Sequence, residues 1–132
     1  MIQNYGKKKF FEITTESQLQ QEIVKYLKTT DLLFCASLGG YLDTDEARIM
    51  ATKEGYVKGQ PDIIIYSPSG CGKYCGMALE LKTPWGNGEL GKHQHNWLDK
   101  LESESNYYCL VSNDFCEVLE TVIKYNHGLL KT

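Results

Sequence analysis

The sequence predicts an α/β domain, a mixed central β-sheet flanked by helices, on three observations. Segments of helical periodicity alternate with short β-branched or apolar runs along the 132 residues. Their order is helix, strand, short helix, two strands, helix, strand, helix, which calls for helices packed on a sheet rather than a sandwich of strands. The composition is globular: 42% hydrophobic and 23% charged residues, in a chain long enough to bury roughly two-thirds of its unfolded surface.

Each element has a local reason. Thr15-Glu16-Ser17-Gln18 has the form of a capping box and opens a helix to about Lys28, with the apolar stripe Leu19, Ile23, Tyr26 and Leu27. Leu32 to Leu38 reads as a buried strand, broken by Gly39-Gly40. Asp43 to Glu54 forms a short helix that Gly55 stops. Ile63-Ile64-Ile65-Tyr66 is a β-branched strand ended by Ser67-Pro68-Ser69-Gly70. Met77 to Lys82 is a third strand, paired with the second through the Cys71 loop. A helix covers about Lys92 to Glu104, a fourth strand Tyr107 to Val111, and a last helix runs from Asp114 to about Tyr125. One domain is expected: a core of about residues 15–125, an N-terminal extension 1–14 and a tail 126–132.

Several function classes are set aside at this level. The longest apolar stretch, Leu32 to Leu38, is too short to span a bilayer. Lys7-Lys8-Lys9 has no apolar segment behind it, so a soluble intracellular chain without membrane partners is expected. The five cysteines, Cys35, Cys71, Cys75, Cys109 and Cys116, are read as reduced thiols, several of them buried; no second pair follows Cys71-x3-Cys75 to close a zinc site. Net charge is −3, with thirteen lysines and the single arginine Arg48. That balance permits a carboxylate site with lysines on phosphates, but gives little equipment for reading bases through arginine.

Chemistry concentrates in Met77-Ala78-Leu79-Glu80-Leu81-Lys82. Alternation puts Met77, Leu79 and Leu81 on one face and Glu80 and Lys82 on the other, roughly 6.6 Å apart, with Ala78 leaving room. Gly59-Gln60-Pro61-Asp62 delivers a second carboxylate at the mouth of the preceding strand, and a hairpin of the two strands brings Asp62 toward Glu80. Two carboxylates forced together repel, and a hard divalent cation is one remedy. A surface Glu–Lys pair beside a turn aspartate has the same pattern. Glu22 falls within the apolar stripe of its helix, and Gln94 stands in line with Trp97, Leu98 and Leu101. Polar groups on core-facing stripes are costly unless satisfied, so four polar groups on four elements point to one site. Taken singly, a satisfied core glutamine and a glutamate reaching solvent also account for these two.

In this order, Glu22, Lys53 to Asp62, Glu80-Leu81-Lys82-Thr83-Pro84 and Gln94-His95-Asn96-Trp97-Leu98 resemble the VRR-NUC domain, a family of the PD-(D/E)XK nuclease superfamily with a restriction-endonuclease-like core. The match spans about residues 15 to 125. The resemblance implies that Asp62 and Glu80 ligate Mg²⁺ or Mn²⁺ with the Leu81 carbonyl, and that Glu22 lies in the outer shell or holds a second ion. It implies that Lys82 touches the attacking water or scissile phosphate, and that Gln94 orients either group. Standalone members occur in viruses and phages and are associated with homodimers that resolve four-way (Holliday) DNA junctions. Two departures stand out: a glycine-bearing connection between Lys82 and Gln94, and Glu104-Ser105-Asn106 where a glycine is usual, a place that Asn106 fills by tolerating a left-handed conformation.

Lys58, Lys73, Lys92 and His93 are candidate DNA-phosphate contacts; His93 and His95 point in different directions and are not expected to form a metal pair. Trp97 is expected in the core, with base stacking the minor alternative. The first hypothesis is a Mg²⁺-dependent endonuclease selective for branched DNA. The others are a general or restriction-type nuclease on linear duplex, a non-catalytic nucleic-acid-binding module on the same fold, and an α/β domain whose polar residues are structural.

Overall fold

A computed structural model describes residues 13–84 and 89–130. Residues 1–12 with the Lys7-Lys8-Lys9 run, Gly86 and Gly88 of the glycine-bearing connection, and residues 131–132 of the tail lie outside the described part. Helix α1 spans Glu16–Leu27, strand β1 Phe34–Ala36, helix α2 Asp45–Lys53, strands β2 Ile63–Ile65 and β3 Gly76–Leu81, helix α3 Lys92–Ser105, strand β4 Tyr107–Ser112 and helix α4 Phe115–Asn126. The sheet runs β1-β2-β3-β4. β1/β2 and β2/β3 are antiparallel and β3/β4 is parallel, so the expected mixed sheet forms.

The two faces of the sheet differ in thickness. Met77, Leu79 and Leu81 join Ile63 and Ile65 under α1 and α4, which contribute Leu19, Ile23, Leu27, Phe115, Val118, Leu119, Val122 and Tyr125. Each such side chain, fully buried, contributes roughly 1.5–3 kcal/mol, so this thick layer carries the core. Among the described helices α3 covers the opposite face, resting Leu98 on Ile64 and Ala78. Glu80 follows Ala78 on this thin side, where little apolar matter competes for the space.

Local signals do what they promise. Thr15 and Gln18 make the reciprocal capping box of α1. Asn106 ends α3 at φ 57°, the left-handed turn expected of it. The first strand departs from expectation: β1 has three residues, Cys35 between half-buried Phe34 and Ala36, and Leu33 is 67% exposed. It lies at the sheet's edge with one neighbour, so only part of the apolar run has anything to pack against. Cys35, Cys71, Cys75 and Cys116 are exposed and Cys109 is half-buried, which corrects the expectation of buried thiols. α2 buries no side chain.

One glycine ties the thin layer together. Gly59 has φ +97°, and a Cβ there would stand 2.6 Å from the backbone of His93, in the first turn of α3. Gly59→Ala is expected to cost roughly 1–3 kcal/mol, because both the left-handed backbone and the close approach exclude a methyl group. A thermal melt reads this; a melt unchanged within error would contradict the packing of this loop on α3.

Candidate functional site: a carboxylate and lysine cluster in a basic trough

The β2–β3 hairpin builds the centre. Register pairs Ile63 with Leu79, which extends to Pro61 opposite Leu81. Proline has no N–H, so the ladder fails there and offers the Leu81 carbonyl no partner. The Leu81 N–H donates instead to Asp62 Oδ2 at 2.7 Å, and this bond fixes the Asp62 carboxylate against the end of β3. The Asp62 carbonyl accepts from the Ser37 N–H at 2.9 Å, which holds the segment after β1 beside it.

Glu80 is 2% exposed. Its Oε2 accepts from Gln94 Nε2 at 3.0 Å and lies 3.6 Å from the Lys82 ammonium. Lys82 Nζ in turn donates to Gln94 Oε1 at 3.2 Å, and the Gly91 N–H donates to the same oxygen at 2.8 Å. Gln94 is thus clamped from three sides, and two of its partners are the acid and the base of the cluster. The other oxygen, Glu80 Oε1, is buried and receives no hydrogen bond among the described residues.

Electrostatics follows from this crowding. Burial, then the nearby Asp62 carboxylate, push the Glu80 carboxyl up to about 8, with Lys82 opposing. Asp62 is also raised, by burial first, while the Leu81 N–H pulls it back. Two acceptors side by side ask for a positive centre between them. A proton on Glu80 supplies one such centre; a cation would be another. Among the described residues no group of three or more His, Cys, Asp and Glu side chains is gathered to hold a metal. A Mg²⁺-type ion needs fewer: one or two carboxylates, a carbonyl and waters. The all-oxygen donors Asp62, Glu80 and the Leu81 carbonyl, with one buried carboxylate oxygen lacking a donor, fit that demand.

Glu22 does not join this cluster. Its carboxylate takes the Lys25 ammonium at 2.9 Å, and it is not in the wall of the depression beside Asp62. Glu16 and Gln20 are in that wall. Glu22 follows Glu16 by six residues, about 240° around the helix, so it faces the other flank of the core stripe. Glu16 senses the site: partial burial and then Asp62 raise its carboxyl, and Lys82 lowers it. The sequence held a signal for it. In the α1 cap Gln18 does the bonding, accepting from the Thr14 and Thr15 N–H groups, so the Glu16 carboxylate is not needed for capping.

The cluster opens into a long trough. One depression, of about 710 Å³, runs from Lys25 on α1 and Lys28 just past its end, past Glu16, to Ser37, Gly40 and Asp62. A second, of about 380 Å³, shares those last three residues and continues over Lys58, Gln60, Lys92, His93 and Gln94. A third, of about 690 Å³, shares Lys58 and His93 and ends along Trp97, Lys100 and Glu104. Lys58, Lys92 and His93 therefore line the depression that contains Asp62 and Gln94. Lys73 does not. An antiparallel hairpin puts its connecting loop at the opposite end of the strands from Asp62 and Lys82, and a six-residue β3 separates them by about 20 Å. Trp97 also departs from expectation: it is half-buried at the surface, outside both core clusters, its Nε1–H donating to the Lys58 carbonyl at 3.0 Å.

No protein-family model and no curated protein matches the sequence. A solved structure described as a VRR_NUC domain protein has the same fold, with a TM-score of 0.65 and 20% identity over 84% of this chain and 87% of that one. The likeness shows the architecture expected from the sequence, a mixed four-stranded α/β sheet with helices on both faces. No helix among the described residues is long and apolar enough to cross a membrane.

Proposed function

We propose that the protein is a VRR-NUC-type nuclease, a divalent-metal-dependent endonuclease that cuts branched DNA. The observation that carries this reading is the buried Glu80 carboxylate, with one oxygen held by Gln94 and beside Lys82, the other without a donor, and Asp62 next to it. A structural salt bridge has no need of a second carboxylate that raises the first, nor of a basic trough over it. The shared fold with a VRR_NUC domain protein supports the same class.

In this reading Asp62, Glu80 and the Leu81 carbonyl hold Mg²⁺ or Mn²⁺, with Glu16 at the outer edge. Such an ion, when bound, polarises a phosphoryl oxygen and makes water a nucleophile near neutral pH. The chain's own groups do the rest. Lys82 offers an ammonium to the attacking water or the scissile phosphate and offsets charge that grows in the transition state. Gln94, fixed by the Gly91 N–H, keeps Lys82 and Glu80 in register. Lys58, Lys92 and His93 bind phosphates along the trough. A junction needs two paired cuts and each chain has one such centre, so the working form is proposed to be a homodimer.

The test is cleavage of a labelled four-way junction and a matched linear duplex, in Mg²⁺ and in EDTA. Paired, Mg²⁺-dependent nicks in the junction alone are expected. Cutting of both substrates would replace the proposal with a general nuclease, and binding without cleavage would replace it with a non-catalytic module.

A further inference from the structure

The third depression lies beyond the cluster, and apart from Lys58 and His93, which it shares with the second, its lining has no part in the chemistry described above. It combines features that a phosphate contact alone does not need. Val57, 60% exposed, and Trp97 give it an apolar wall, while Lys58, His93, Asn96 and Lys100 surround that wall with donors. Its ligand must therefore present a flat apolar surface and negative charge together. His93, Trp97, Lys100 and Glu104 follow at helical spacing on one face of α3. Lys58 and His93 lie toward the Asp62 end, Lys100 two turns further along α3 and Glu104 beyond it, so a polyanion is favoured as far as Lys100 and opposed at the exit.

Trp97 is held as a platform. Its Nε1–H bond to the Lys58 carbonyl pins the indole by one edge to the same loop that supplies Lys58. His93 and Lys58 belong to both this depression and the one containing Asp62 and Gln94. From His93 to Lys100 the helix rises about 10 Å, some three base-pair steps of B-form DNA.

We infer that this depression binds one nucleotide of the cleaved DNA strand, within about three positions of the scissile phosphate, its base against Trp97 and its phosphates on Lys58 and Lys100. The inference rests on the nuclease reading and extends it to a substrate class. A base inside a duplex has both faces covered by its neighbours, so the bound nucleotide is unstacked. The preferred DNA then carries an unpaired or frayed position beside the cut.

The test uses the full chain with Lys82→Ala to prevent cleavage, in Mg²⁺, and DNA carrying 2-aminopurine one to three nucleotides to either side of the wild-type cut. One position is expected to change its fluorescence on binding, and Trp97→Ala to abolish that change and weaken binding on the order of tenfold. Trp97→Phe, which keeps a ring, retains most of both. Lys100 is exposed, so Lys100→Ala carries the test if Trp97→Ala fails to fold. It is expected to weaken binding of gapped DNA more than of fully paired duplex, by a ratio that shrinks as salt rises. Cleavage by the wild type with no fluorescence change, or equal losses on gapped and paired DNA, overturns the subsite and leaves the nuclease reading standing. A Trp97-dependent change with no wild-type cleavage of any substrate supports the subsite and removes the nuclease reading.

Discussion

Lys82→Ala is expected to lower the rate of DNA cleavage by a factor on the order of 10² to 10⁴ while leaving the fold intact. The size follows from two contacts that the ammonium makes at once. It lies 3.6 Å from Glu80 Oε2 and donates to Gln94 Oε1 at 3.2 Å. Alanine removes the cation that offsets charge at the scissile phosphate and also frees Gln94 from one of its three restraints. The fold survives because Lys82 lies just past β3 and its N–H keeps its bond to the Ser112 carbonyl. The Glu80 carboxyl, deprived of the charge that lowers it, retains its proton to higher pH, which spares the variant an unpaired buried anion. Lys82→Arg tests geometry against charge: a planar fork cannot fill the place of a point charge between two oxygens, so most of the activity is expected to be lost there too. Single-turnover cleavage in Mg²⁺ and a far-UV melt measure the two halves. Full activity in the folded alanine variant would remove Lys82 from the mechanism and the nuclease reading with it.

Where the sequence is legible, two independent physical signals agree. Period-two alternation places Met77, Leu79 and Leu81 on the thick core and Glu80 on the other face, and the Pro61-Asp62 turn places a carboxylate at the adjacent strand end. Gln94 is legible because an amide on a core-facing stripe needs partners, and it has three in Glu80, Lys82 and Gly91. Errors arise where a one-dimensional rule meets three-dimensional topology. Glu22 satisfies the stripe rule, but the stripe is wide enough that its two flanks face different neighbours, and Glu16 with Gln20 has the flank nearer Asp62. Lys73 is close in sequence to both site strands, yet an antiparallel hairpin turns that closeness into the full length of the sheet. Hydrophobicity assigns Trp97 to the core, whereas among the described residues no second helix backs α3, which buries only Leu98. A helix without a second layer leaves its flanking aromatics at the surface. The same thinness leaves Glu80 with polar neighbours.

Glu80→Gln is expected to separate stability from function in opposite directions. The Glu80 carboxyl is raised to about 8 in the folded chain, against about 4.3 when unfolded. Folding therefore favours its protonated form: the contribution to stability is full below about pH 4 and is lost as the pH rises through about 8. Asp62 is shifted in the same direction, so it adds to the trend. In EDTA the wild-type melting temperature should fall between pH 5 and pH 9, the loss amounting to about 1.4 kcal/mol for every tenfold difference in proton affinity between the folded and unfolded chains. Glutamine holds no charge to desolvate. Its carbonyl still accepts from Gln94 Nε2 and its NH₂ can donate to the Asp62 carboxylate, which then needs no proton between the two groups. Metal-free Glu80→Gln should accordingly be more stable than the wild type at pH 8.5, by about 1–4 kcal/mol, and so melt higher, with a flatter pH profile. Mg²⁺ should reverse the order, because a cation that neutralises the wild-type pair gains less from an amide. Mg²⁺ is thus expected to raise the wild-type melting temperature well above its value in EDTA, to leave the variant's nearly unchanged, and to give no cleavage with the variant. A wild-type melt independent of pH in EDTA would mean that Glu80 and Asp62 do not share a proton; equal Mg²⁺ stabilisation of both chains would mean that the ion binds somewhere other than this pair.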